Sequence, residues 1–350
     1  GGGGGGGSPS SSGGSLGKSG KVGTLRRGTV AAVPVNASSP DTPAHVVPHD
    51  EVTLLDELRK SYTGKDMLGK WHTKSVAVKV MTPLAINRAR LESVAPLLRT
   101  LKHKNLQPFL GVMLMPIACV YEQRAGAPLD LLLYERDAVA EQLLDVPRPF
   151  ELTKPQLREV LCGVAAGVAY LHSEDIAHGR LSARSVLVDV SRLAVPVPGA
   201  TDTTLVPVIT EYGMASAIKF DDERDEAVKW ASPDQLEAEE STPESDAWAF
   251  GCLLYEAFEK QAPWHDKSVS EAVEAIKNFE LPSPAPHVPS APSTIQRLVV
   301  RCWQREPDMR ATVEEAGELL QAWAAQTDDD EAAAAAAAAF TWWPWSARCC

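Results

Sequence analysis

Along the first 49 residues apolar side chains recur at no fixed spacing, and Gly, Ser, Pro and Thr dominate. Such a segment buries too little surface to offset the entropy of ordering it, so residues 1–49 read as a disordered tail. Patterning begins near Asp50. Val76-Ala77-Val78-Lys79-Val80 is a short β-branched run and predicts a strand. Thr82-Pro83 reads as a helix start, with Leu91, Val94, Leu98 and Leu101 following at helical spacing. Two apolar runs, Leu110 to Leu114 and Ile117 to Tyr121, flank Met115-Pro116 and predict paired strands. Residues 50–123 thus hold a small sheet with one helix.

From Leu129 onward the period turns helical. Leu157, Val160, Leu161, Val164, Val168 and Leu171 line one face after Thr153 and Pro155, which predicts a buried helix. Ser268 with Glu271 and Thr312 with Glu315 have the spacing of capping boxes, in which hydroxyl and carboxylate each satisfy an orphan amide. Residues 124–325 therefore form a second, helical lobe, and the chain is of the α+β class. Beyond it, residues 326–350 form a tail with an acidic run (Asp328 to Glu331), a run of alanines and Trp342-Trp343-Pro344-Trp345.

Charge narrows the chemistry. A net charge of -12 argues against a nucleic-acid partner, since affinity for a phosphate backbone comes chiefly from Lys and Arg. The six cysteines form no C-x-x-C pair and suggest neither a zinc site nor a disulfide framework. No signal-like segment opens the chain, and the apolar stretch from Ala332 to Trp345 is too short and too broken by Pro344 to span a bilayer, so a cytoplasmic protein is expected. Gly17-Lys18-Ser19 lacks the first glycine and the strand of a P-loop, and reads as low complexity. Arg26-Arg27-Gly28-Thr29 has the form of a basophilic phosphorylation site inside the tail. Cys349-Cys350 lacks the C-a-a-X form and polybasic neighbours of a prenyl acceptor.

Four segments together resemble the protein kinase family: Val76-Ala77-Val78-Lys79 on a strand, His178 to Ser185, Glu211-Tyr212-Gly213, and Ser245-Asp246-Ala247-Trp248-Ala249-Phe250-Gly251. The resemblance covers residues 51 to 325. Gly69-Lys70-Trp71-His72, Val228-Lys229-Trp230 before Ser232-Pro233-Asp234, and Cys302-Trp303 with Pro307 and Arg310 are most similar to the tyrosine-kinase-like group. It implies a two-lobed fold, with a β-rich N-lobe over residues 50–123 and a larger helical C-lobe over 124–325. It also implies architectural roles. Asp246 would accept amides of the catalytic loop, Arg310 would pair with Asp234, and His178, Tyr212 and Leu98 would stack through the core.

The residues that carry chemistry in the family are mostly replaced. The Gly-rich loop falls on Arg59, Ser61, Gly64 and Asp66, where side chains crowd the phosphates and an acid faces the nucleotide. Lys79 is kept, but its helix Glu falls on Val94, and Glu92 points to another helix face. His178-Gly179-Arg180-Leu181-Ser182-Ala183-Arg184-Ser185 aligns on H-R-D-L-x-x-x-N, so the hydroxyl-orienting Asp becomes Arg180 and the metal-binding Asn becomes Ser185. A guanidinium has no acceptor and stays protonated. Glu211 replaces the Asp of D-F-G. A nucleotide slot, if used, would be walled by Ala77, Lys79, Tyr121, Glu122, Gln123, Leu187 and Glu211, with ATP and magnesium held weakly or not at all. The acidic run Asp221 to Glu226 reads as a solvated loop, with a phosphate mimic or a partner-facing patch as the alternatives.

The resemblance therefore implies a pseudokinase acting as a scaffold or allosteric partner in signalling, bound to signalling proteins or an active kinase. The alternative is a weak or unconventional ATP-dependent Ser/Thr or Tyr kinase. His178-Gly179 and Tyr212-Gly213 are also similar to the kinase-homology region of receptor guanylate cyclases, which would require a membrane span and a cyclase domain.

Overall fold

A computed structural model describes residues 1, 43–134, 152–189, 205–218, 220–284 and 287–324. The motifs read in the two tails lie outside those residues. Five antiparallel strands build the N-lobe sheet in the order β1-β2-β3-β5-β4: β1 (Val52–Ser61), β2 (Gly64–Trp71), β3 (Lys74–Met81), β4 (Phe109–Leu114) and β5 (Ile117–Glu122). Side chains alternate across a strand. On central β3, Val76 and Val78 therefore pack with Val47, Val52, Met113, Ala118 and Val120 in a small core on one face. Lys79 and Met81 are buried on the opposite one.

The sequence reading found β3, β4 and β5 but not β1 and β2. β1 carries Asp56, Glu57, Arg59 and Lys60 and among the described residues pairs with β2 alone, with register shifts after Leu54 and Glu57. An edge strand of this kind shows little alternation to read. The tail boundary also lies nearer the N-terminus than composition implied. The Val47 amide donates to the Val112 carbonyl (2.8 Å) and the Val112 amide to the His45 carbonyl (2.8 Å), which extends the sheet along β4. Two valines are too short a run to register as a period.

Helix α1 (Arg88–Leu98) starts later than Thr82-Pro83 suggested. The Ala85 amide closes a turn on the Thr82 carbonyl (3.0 Å), and Asn87 is the true cap, accepting the Arg90 amide at 3.2 Å. Leu91, Ala95 and Leu98 are its buried face.

The C-lobe comprises α2 (Leu129–Leu133), α3 (Lys154–Ser173), α4 (Pro233–Ala238), α5 (Pro243–Glu259), α6 (Val269–Lys277), α7 (Ser293–Cys302) and α8 (Val313–Ala324). A second small sheet, β6 (Ala127–Pro128), β7 (Val186–Val188) and β8 (Val208–Ile209), lies among them. The predicted face of α3 is buried, and a reciprocal box between Thr153 and Gln156 opens the helix. Helix α5 is buried on all sides from Ser245 to Ala257, as expected of a helix at the centre of a lobe. The box at Ser268 and Glu271 forms in full. At α8 only the hydroxyl half forms, with the Glu315 amide on Thr312 Oγ1 at 3.1 Å, because the Glu315 carboxylate instead pairs with Arg301 at 2.6 Å.

Candidate functional site

Between the sheet and the C-lobe lies a cavity of about 750 Å³, within the usual range for small-molecule sites. Ala77, Lys79, Tyr121, Gln123, Leu187 and Glu211 line it, as do Arg59 and Asp66 from the loop position. Glu122 does not. Its carbonyl accepts the Gln107 side-chain amide at 3.0 Å, and its carboxylate pairs with Arg124 at 3.1 Å.

Lys79 is 4% exposed and donates to Glu211 Oε1 at 2.6 Å and to Asp66 Oδ1 at 3.3 Å. Burial alone would lower its pKa, but the two carboxylates outweigh burial and hold it above its ordinary value. Burial would likewise raise Glu211, yet the Lys79 charge and hydrogen bond, helped by Arg180 and His178, hold it below the usual range. Asp66 is pushed up, mainly by burial. On α1, Val94 packs against the core and Glu92 pairs with Arg88 four residues before it, at 2.6 Å. Among the described residues no helix carboxylate reaches Lys79; its counter-ions come from β2 and from the start of the Glu211-Tyr212-Gly213 turn.

Arg59 is not left over the slot as a mere obstruction. Its Nη2 donates to Asp130 Oδ2 at 2.6 Å, tying β1 to α2, and Arg184 Nε approaches the same oxygen at 3.5 Å. Sequence reasoning missed Asp130. The available signal was a lone acid inside Leu129-Asp130-Leu131-Leu132-Leu133, since a buried carboxylate requires a partner.

The catalytic-loop positions are held from below. Asp246, at the N-terminal end of α5, accepts the His178 amide at 2.6 Å and the Gly179 amide at 2.7 Å, and contacts His172 Nε2 at 2.9 Å. Gly179 is required there: its φ is +79°, and a Cβ would stand 2.1 Å from the Ala215 Cβ. Arg180 turns towards the chain after Gly213, where Nη2 lies 2.9 and 2.8 Å from the two Asp225 oxygens and the guanidinium stacks over Phe220 at 4.9 Å. The acidic run is thus divided. Asp222 and Glu223 are exposed, whereas Asp225 is only 3% exposed and is no solvated charge.

Tested as a magnesium site, the donor set does not fit. The Ser185 hydroxyl donates to the Ser182 carbonyl at 2.9 Å and accepts the Ser182 amide at 3.1 Å, so it closes its own turn. Glu211 carries the Lys79 ammonium, and a divalent cation would have to displace that charge.

The expected supports come together. Arg310 donates to Asp234 Oδ1, to the Gln304 carbonyl (2.9 Å) and to the Glu244 carbonyl (2.9 Å). Leu98, His178 and Tyr212 are all fully buried, and the Tyr212 hydroxyl donates to the Gln107 carbonyl at 2.6 Å. A further anchor, Glu256, was not foreseen. It accepts Tyr134 Oη (2.6 Å), Trp230 Nε1 (2.8 Å) and the Ala183 amide (2.9 Å), joining α5 to the catalytic loop.

Burial raises the Glu256 pKa to about 8. A carboxyl raised on folding stabilises the fold fully below its unfolded pKa, and that stabilisation is lost as pH rises through the folded value. The melting temperature is therefore expected to decline from about pH 5 to pH 8, and Glu256→Gln should flatten that decline. Parallel pH–melting curves for the two chains would contradict it.

Residues 52–320 match the family model described as protein tyrosine and serine/threonine kinase. The BDNF/NT-3 growth factors receptor of Gallus gallus is 28% identical over 300 residues, covering 81% of this chain and 35% of the receptor. Protein-tyrosine kinase 6 of Homo sapiens is 26% identical over 316 residues, covering 86% of this chain and 64% of that protein. The high affinity nerve growth factor receptor of Mus musculus is 29% identical over 305 residues, covering 81% and 36%. The chain spans about a third of the length of these receptors and less than two thirds of the human kinase. Two lobes around a cleft, a lysine on β3 facing it, a loop held by a buried α5 aspartate and a match over most of the chain converge: this protein belongs to the protein tyrosine and serine/threonine kinase family.

Proposed function

We propose that this kinase domain is a pseudokinase, acting as a scaffold or allosteric partner of signalling proteins rather than transferring phosphate. The observation that carries the reading is the fate of position 180. Catalysis in this family needs an anion there to orient and deprotonate the acceptor hydroxyl. Here a guanidinium whose side chain is 9% exposed stands in its place, and its charge is paired with Asp225. Loss of the metal-ligating Asn at Ser185 and the engagement of Glu211 by Lys79 support the same reading. The supports for the fold, by contrast, are in place, as a binding module requires.

Melting the chain with and without saturating ATP and magnesium tests this. A ligand at 100 times its Kd adds about 2.7 kcal/mol to stability, which would raise the midpoint by several degrees. The reading expects no such rise. A second reading, a weak unconventional kinase, draws on the Lys79–Glu211 pair, which keeps a lysine and a carboxylate in the slot. Magnesium-dependent transfer that vanishes in Lys79→Met is its signature.

We place the protein in the cytosol. Cys119, Cys162, Cys252 and Cys302 are free thiols, and no helix among the described residues is long and apolar enough to cross a membrane.

A further inference from the structure

The hairpin of β1 and β2 forms one wall of the cavity, through Glu57, Arg59, Asp66 and Met67, and Leu131, Arg184 and Leu187 line it from the C-lobe. Side chains tie this hairpin across the cleft at both ends. On β1, Arg59 Nη2 donates to Asp130 Oδ2 of α2 at 2.6 Å, with Nη1 3.5 Å from Oδ1. Three residues on, at the hairpin tip, the Tyr62 hydroxyl donates to Asp221 Oδ2 at 3.0 Å. Between the two, Lys79 bridges Asp66 of β2 and Glu211 of the C-lobe.

Both acceptors are held in place from their own side of the cleft. Asp130 Oδ1 accepts the Leu131 amide at 3.0 Å. Asp221 Oδ1 accepts the Glu223 and Arg224 amides, each at 3.0 Å, which turns Oδ2 towards Tyr62. The segment carrying Asp221 is anchored in turn by Arg180 on Asp225 and by Lys277 on Asp222 at 3.1 Å. The two ties differ in strength. The Arg59 and Asp130 side chains are 19% and 2% exposed, so that ion pair is little screened, whereas Tyr62 and Asp221 are half-buried. In the family this hairpin covers the phosphates of a bound nucleotide. Here the chain supplies its own bonds for the same closure.

We infer that the β1–β2 hairpin is a strap, latched shut over the cavity without any ligand by Arg59 on Asp130 and by Tyr62 on Asp221, and that release of this latch is the movement that opens the cavity. Both ties must break for the hairpin to lift. Loss of either raises the open population by its own factor, and loss of both raises it by the product. The latch belongs to the ligand-free fold and stands whether or not the domain transfers phosphate.

Lysine acylation of the full chain, read by mass spectrometry, tests it. Lys79 lies beneath the strap, Lys229 is buried in the C-lobe away from it, and Lys70 is exposed. In the parent, Lys79 should react at least tenfold more slowly than Lys70. Arg59→Met is expected to speed acylation of Lys79 about tenfold, Tyr62→Phe about threefold, and the pair by the product, with Lys229 unchanged. Arg59→Lys, which keeps a cation for Asp130, should restore most of the protection. Tyr62 lies outside the lining of the cavity, so its substitution reaches Lys79 only through the hairpin. Three results would each overturn the inference: Lys79 reacting as fast as Lys70 in the parent, Lys79 unaffected by Arg59→Met and Tyr62→Phe, or Lys229 rising in step with Lys79, the mark of general loosening.

Discussion

Arg180→Ala is expected to lower stability by about 3–5 kcal/mol, because it strips the buried Asp225 carboxylate of the cation that pairs with it. The Arg180 and Asp225 side chains are 9% and 4% exposed, so solvent screens the pair little. At the usual conversion for a domain of this size, the loss corresponds to a fall in melting temperature on the order of 10 °C. Asp225→Ala should cost a comparable amount. The double variant should recover much of either loss, since replacing both members removes the unpaired charge. Additive losses in that cycle would mean that the two residues act independently, contrary to the geometry. Arg180→Asp, the replacement that restores the family's residue type, should be worse still: it sets two carboxylates against each other where a salt bridge stood.

Asp246→Ala should have an effect at least as large. The His178 and Gly179 amides and the His172 ring all converge on this carboxylate, which is fully buried. Each orphaned buried donor costs about 1–3 kcal/mol, so a loss of about 4 kcal/mol or more is expected, with faster hydrogen exchange across residues 178–185. Asp246→Asn keeps one acceptor oxygen and should fall between the two. A loss below about 1 kcal/mol for the alanine variant would show that the loop is held by something other than α5.

How much of this was legible in the sequence depends on whether a residue's partner lies at a fixed spacing. Lys79, Arg180, Ser185, Glu211, Asp246 and the Asp234–Arg310 pair could be named because gapless motifs carry them. Asp130, Asp225 and Glu256 could not, since their partners lie 71, 45 and 122 or fewer residues away, and no local period links a carboxylate to a guanidinium at such distances. Asp225 was concealed for a second reason. It stands among five other charged residues, and composition alone treats the whole run as solvated, although one of its members turns inward. The N-lobe was clearest where both faces of a strand are covered, in β3 and β5, and least clear in β1, whose charged exposed positions mask its pairing. Glu122 was misplaced as a wall because only the resemblance placed it there, while the direction of its carbonyl depends on Gln107, a residue on another segment.

The central claim concerns chemistry, and a transfer assay tests it most directly. Purified chain at high concentration would be incubated with γ-labelled ATP, magnesium or manganese, and a mixed protein and peptide acceptor, and the label in protein followed over many hours. The account predicts incorporation no greater than in a parallel incubation without the chain, and no difference between the parent and Lys79→Met. Steady metal-dependent labelling that disappears in Lys79→Met would contradict it.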